Sequence, residues 1–303
     1  MQQGDFTYED YAVKVISSHV RLLNSLQQGV REGKDPEAIH QWRVTSRRLR
    51  DAIKVFKDLF PKEVRKSWDH HLRRFAQVAG QGRDLDIHIR FLKDFYASMK
   101  IPQHQSGIKK LFSIHLGKRR ILQPRIRKAL IQFGKSKTLV KMEHCLKDLS
   151  QRRAQQGNQK LFSVSQKRAL IRLEKLLSLK EYVDQPRAIR GLHQMRIAAK
   201  HLRYTLETFE PLYGKNLKTY IHSVMSIQEV LGDVHDFDVW IETLPAFWSK
   251  EKQDENFDES LEFLRTQCQT LREGSYRKFV KIWRDCQKRK IWPRLTRLVS
   301  IPA

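Results

Sequence analysis

The chain is short of cysteine, of acids and of long apolar runs, and each shortage excludes something. Three cysteines stand in 303 residues, at Cys145, Cys268 and Cys286. They form no Cys-x-x-Cys pair and their number is odd, which argues against a disulfide framework and for a reducing compartment, the cytoplasm. No apolar run reaches the roughly 18 residues that a membrane-crossing helix needs. The opening Met1-Gln2-Gln3-Gly4-Asp5 lacks the basic and apolar regions of a secretory signal, so none is expected. There is no glycine-rich phosphate cradle, no nucleophile spaced beside a base, and no acidic run that would hold two metals. Catalysis, metal and cofactor are therefore not expected. Acids number 33 against 59 Lys+Arg, a formal charge of +26. An excess that large implies a polyanionic partner: nucleic acid, an anionic membrane surface or a phosphate polymer. The hydrophobic share of 40% still suffices for a folded core.

Strand-like alternation is scarce and helical period is nearly everywhere, so the fold class is all-α. Thr7 caps a helix running to about Arg31. Asp35-Pro36 opens a second, which Pro61 stops. A third runs from Lys62 to Ala79, where Gly80-Gln81-Gly82 is expected to break it. Arg83-Asp84-Leu85-Asp86 then starts a fourth, and a long basic helix or pair spans Ile108 to Gln156. Gly157-Asn158 is the expected internal boundary. Beyond it the order recurs: Pro186 opens a helix that Pro211 ends, another reaches Leu231-Gly232, and Asp236 and Asp238 follow.

The recurrence is one of residues as well as of order. Ile39-His40-Gln41-Trp42-Arg43-Val44-Thr45-Ser46-Arg47-Arg48-Leu49-Arg50 is echoed by Leu192-His193-Gln194-Met195-Arg196-Ile197-Ala198-Ala199-Lys200-His201-Leu202-Arg203, at an offset of 153. Gly80, Asp84 and Asp86 meet Gly232, Asp236 and Asp238 at 152. At about 100° per residue, His40, Arg43, Arg47, Arg50 and Lys54 share an arc of about 80°. Trp42, Leu49, Ile53 and Phe56 lie roughly opposite, as core. His193, Arg196, Lys200 and Arg203 sort the same way against Met195, Leu202, Leu206 and Phe209. An ordinary solvated face mixes signs at i,i+4, whereas like charges at each turn cost stability. A repeated row without acids is therefore read as an anion-binding face. Lys66 with His70, and Lys218 with His222, lie four apart and could form a second row. Arg119 and Arg272 correspond near the ends of the repeats.

Other readings compete at these positions. The histidines lack the i,i+4 partner of a zinc site, and neighbouring cations would repel a metal. Asp84 with Asp86, and Asp236 with Asp238, could hold Mg²⁺. After an expected glycine break, however, they fit better with one acid as a helix cap and the other orienting an arginine of the basic row by a bidentate pair.

The two basic rows, the Leu231-Gly232-x-x-His235-Asp236-x-Asp238 stretch and the long repeat resemble the CHAD domain, the conserved histidine α-helical domain. The resemblance spans nearly the whole chain. It implies two four-helix bundles, residues 6–157 and 158–300, related by a pseudo-two-fold about a basic central surface. It also implies binding of inorganic polyphosphate, with phosphate or sulfate able to occupy the site, and association with polyphosphate granules. A sequence-independent nucleic-acid backbone binder is the alternative that charge alone supports equally. Members often accompany a CYTH triphosphatase domain. The alternating acidic and basic strands of that domain are missing from this sequence, so it looks like a stand-alone member. It departs from strict repetition at Arg83, where the second repeat has His235, and at Lys200, where the first has Arg47. Both exchanges keep a basic residue.

Overall fold

A computed structural model describes residues 7–151, 159–248 and 255–300. Among them all regular structure is helical. The chain divides into two compact units between residues 158 and 159. The expected boundary at Gly157-Asn158 lies outside the described residues. The acidic stretch Asp254–Asp258 reads as a polar loop from sequence; Asp254 also lies outside them, and from Glu255 on the stretch is helical.

The first unit holds α1 (Tyr8–Glu32), α2 (Pro36–Val55), α3 (Lys62–Ser98), α4 (Gln105–Lys135) and α5 (Thr138–Gln151). Local chemistry sets the first ends. The Thr7 hydroxyl accepts the Asp10 N–H at 3.1 Å and the Asp35 carboxylate accepts the Glu37 N–H at 2.8 Å, each satisfying a donor with no intrahelical partner. Gly33, at φ 67°, closes α1 by donating to the Gly29 carbonyl. Inside, Trp42 of α2 meets Phe75 of α3 edge-on at 4.3 Å and Phe133 of α4 at 5.5 Å. Tyr8 of α1 packs on Phe56. These anchors bury one face of α2 and turn the basic face away from the core.

The second unit holds α6 (Gln159–Leu177), α7 (Ile189–Tyr213), α8 (Lys218–Thr243), α9 (Glu255–Lys288) and α10 (Ile291–Ser300). Its core joins Met195, Leu202 and Leu206 of α7 to Val224 and Leu231 of α8 and to Trp283 and Trp292. Each unit thus has five α-helices among the described residues, where the resemblance implies four. The extra ones arise at Lys137 and Lys290, both in the left-handed region at φ 52° and 53°, where the last long helix stops and a short one follows.

The expected break at Gly80-Gln81-Gly82 does not occur. Helix α3 runs through it without interruption for 37 residues, and α8 runs likewise through Gly232. Glycine costs a helix about 1 kcal/mol relative to alanine, so a local reading favours a break. Here the missing side chains give space to neighbours. A Cβ on Gly80 would stand 2.7 Å from an Nη of Arg43, and one on Gly82 would stand 2.8 Å from the Ile126 Cδ1. The glycines permit close packing along a continuous helix. Pro211 likewise lies inside α7, near its end.

Candidate anion-binding site

Helix α2 presents His40, Arg43, Arg47 and Arg50, all partly buried, on one side. The neighbouring face of α3 decides what each can do. The Arg43 guanidinium lies against Gly80 and forms an ion pair with Asp84 at 3.5 Å. Burial lowers its pKa, as do the charges of Arg47 and Arg83, while Asp84 opposes them. Arg50 donates to Asp69 at 2.6 Å, and Arg73 shares that carboxylate at 2.9 Å. Burial pushes the Asp69 carboxyl up, but the two arginines outweigh it and hold it low. Arg47 has no acidic partner among the described residues. Burial and then the charge of Arg83 hold the His40 ring below the usual imidazole range; Glu37 opposes, and Arg43 and Arg90 add to the depression. Arg83 and Arg90 of α3 therefore share the local field with the α2 row.

Helix α7 of the second unit carries His193, Arg196, Lys200 and Arg203, again partly buried. Nδ1 of His193 lies 3.2 Å from Nδ1 of His235 on α8, with ring centroids 4.2 Å apart. Burial lowers both rings. Arg196 and Lys200 add to the fall at His193, and Asp238 opposes it. At His235 the neighbouring His193 and the same two cations carry the pKa to about 4. Arg203 donates to Glu207 at 2.7 Å and to Gln228 at 3.3 Å.

The four aspartates are not helix caps, because they lie within α3 and α8 rather than at their starts. The two acids of the first pair also face different partners. Asp84, with a side chain 66% exposed, reaches Arg43. Asp86, 6% exposed, accepts from Arg119 Nε at 2.8 Å. Asp238 accepts from Arg272 in the same manner, and burial still holds its carboxyl above the usual range. Asp84 thus orients an arginine of the row, whereas Asp86 binds Arg119 of α4 and Asp238 binds Arg272 of α9. Asp236 sits partly buried in α8. Among the described residues no three His, Cys, Asp or Glu side chains converge as a metal site would need.

Arg119 and Arg272, grouped with the anion-binding cations from sequence, are positioned otherwise. Arg119 is 11% exposed and also donates to Gln123, which in turn donates to the Val30 carbonyl at 3.0 Å. Arg272 donates to the Pro186 carbonyl at 2.8 Å. Both tie helices together rather than facing solvent. Lys54, Lys66, His70, Lys218 and His222 are exposed; Lys66 pairs with Glu63 at 3.0 Å. Sequence reasoning did not single out Arg90. Its signal was available: Arg83 and Arg90 are seven apart, two helical turns, on the helix that follows the row.

Across the row and its neighbours, arginine can form bidentate contacts to phosphate oxygens, lysine a point contact, and neutral histidine a single donor. The aromatics Trp42, Phe56 and Phe209 are buried in the cores. Such a face reads charge and backbone shape rather than bases.

A family model described as the CHAD domain matches residues 14–245. Among solved structures, the chain is similar to the CHAD domain from the plant Ricinus communis, with a TM-score of 0.71 and 22% identity over 92% of each chain. It is also similar to PptA from Streptomyces chartreusis, with a TM-score of 0.62 and 13% identity over 91% of this chain and 99% of that one. At these identities the structural likeness concerns the fold alone. No curated protein matches the sequence.

Proposed function

The chain belongs to the CHAD domain family, and from that premise we propose that it binds inorganic polyphosphate without chemically changing it. The contact surfaces are the cation rows of α2 and α7. His40, Arg43 and Arg47 are the central ligands in the first unit, supported by Arg83 and Arg90. His193, Arg196 and Lys200 are the central ligands in the second, with His235. The recurrence of the same residue types in both rows would make them equivalent subsites. The protein would act in the cytoplasm, at polyphosphate granules. One observation carries the reading: Arg43 is seated on a glycine of the next helix, and Arg47 beside it has no acidic partner among the described residues. A positioned guanidinium with an uncompensated one beside it is suited to an incoming anion. A flexible line of phosphates matches the row because it offers repeated anions and no bases.

Competition tests the ligand. Long-chain polyphosphate should displace RNA from the purified protein at equal phosphate concentration. Failure to do so would assign the row to nucleic-acid backbone instead. Incubation of the protein with polyphosphate and Mg²⁺ should release no orthophosphate; release abolished by Asp84→Asn would overturn the non-enzymatic assignment. A fluorescent fusion should follow polyphosphate granules in cells and lose them when the Arg43 and Arg47 side chains are removed.

A further inference from the structure

A second cationic site lies in the first unit, on a different side of α3 from the row. It is a cavity of about 320 Å³ in the groove between α3 and α4. Its wall on α3 comes from His71, Arg74, Phe75, Val78 and Gln81. Projected at about 100° per residue, these lie roughly 100° or more around α3 from Gly80, where Arg43 rests. The apolar part is formed by Phe75, Val78, Ala129 and Phe133. Arg74, Arg125 and Lys128 stand at the mouth, all exposed, with Gln81 and Gln132 beside them. No carboxylate lines the cavity, and the three cations have no acidic partner among the described residues.

The corresponding groove of the second repeat is built differently. At the repeat offsets, Gln81 and Gln132 become Asp233 and Asp285, and Arg74 becomes Ser226. Burial raises the Asp233 carboxyl, and the charge of Lys278, the counterpart of Arg125, opposes that rise. Asp285 pairs with Arg289 at 3.2 Å. There the repeat supplies its own anions. In the first unit the same place keeps its cations, replaces both acids with neutral amides, and is floored by two phenylalanines. An unbalanced charge over an apolar floor calls for a ligand that has both parts.

We infer that this cavity binds a small aromatic anion: one ring system carrying a phosphate or carboxylate. The ring lies on the Phe75, Val78 and Phe133 floor, where stacking and area burial hold it. The anionic group meets Arg74, Arg125 and Lys128. The amides of Gln81 and Gln132 can bond polar ring substituents. The volume is at the lower end of small-molecule sites, about 300–1,000 Å³. The inference stands whether or not the rows bind polyphosphate.

Phenyl phosphate is the probe, with inorganic phosphate and phenol as its two halves. Ligand-observed saturation-transfer NMR on the intact chain should show saturable contact to the phenyl ring protons. Each half should bind at least tenfold more weakly than the whole. Ala129→Leu, which fills the floor, should weaken phenyl phosphate at least fivefold. Arg125→Gln with Lys128→Gln, both at exposed positions, should do the same with an unchanged melting temperature. Arg43→Ala with Arg47→Ala should leave phenyl phosphate binding intact. Binding no tighter than that of inorganic phosphate, survival of binding in the Arg125/Lys128 variant, or its loss in the Arg43/Arg47 variant would each overturn the assignment.

Discussion

Replacing Gly80 with alanine separates helix stability from site geometry. In a helix interior alanine is favoured over glycine by about 1 kcal/mol. At Gly80 the new Cβ would stand 2.7 Å from an Nη of Arg43 and 3.3 Å from its Cζ, so something must move. The guanidinium is the far end of a flexible side chain, and it will move before the helix does. Arg43 then leaves its seat and its 3.5 Å pair with Asp84. A charge-assisted contact is worth about 1.5–3 kcal/mol. Displacing the group, rather than deleting it, should cost a fraction of that, about 0.7–1.4 kcal/mol, or roughly three- to tenfold in affinity. Gly232 is the internal control. There the added Cβ meets only the Arg196 Nε, at 3.6 Å, which is ordinary contact. Gly232→Ala should bind within about twofold of the parent. It should melt up to about 2–4 °C higher, the scale for 1 kcal/mol in a domain of this size. Fluorescence-monitored titration with long-chain polyphosphate at one fixed salt concentration, beside thermal melts, reads both quantities. If Gly80→Ala binds like the parent, the seated Arg43 is not part of the site. If Gly232→Ala binds as poorly as Gly80→Ala, the Cβ contact is not the cause.

Further outcomes follow from the same contacts. Arg43→Ala with Arg47→Ala should cost polyphosphate affinity about 3–6 kcal/mol, with non-additivity expected, and Arg196→Ala with Lys200→Ala about as much; parental binding in titrations of either would make that row a solvated face. Both pairs should keep the parental melt, whereas Phe56→Ala, a fully buried side chain, should lose about 3–5 kcal/mol of stability in a denaturant titration. His40, His193 and His235 have pKa values depressed in the free protein, His235 to about 4. A polyanion would raise them, so binding should take up protons and tighten as pH falls from about 6.5; calorimetry in two buffers of different ionisation enthalpy tests this, and zero uptake near pH 6 would refute it. Without ligand the sign reverses: the unfolded chain binds more protons between about 6.5 and 4, so stability should fall with pH across that window. Asp86→Asn should cost about 3–5 kcal/mol by leaving Arg119 buried without its counter-charge, while Asp84→Asn, at an exposed carboxylate, should change the denaturation midpoint little.

Periodicity and capping chemistry were enough to determine the helical class, the Thr7 and Asp35 starts, and the two cation rows with their apolar backs. These depend on neighbours within a few turns, and sequence spacing encodes such neighbours directly. The local cost of the α3 glycines favours a break, while their use lies in residues distant along the chain: Arg43 above Gly80 and Ile126 against Gly82. For the same reason sequence alone could not divide the acids. Asp84 and Asp86 stand two residues apart, so about 200° apart around one helix, and only the packing of α2 and α4 against α3 assigns one to Arg43 and the other to Arg119. Tertiary structure also decided which cations remain available. Arg50, Arg119, Arg203 and Arg272 all fit a basic pattern, and all are engaged by carboxylates. Charge at a position is a property of the residue type. Whether that charge is already neutralised depends on which helix packs beside it.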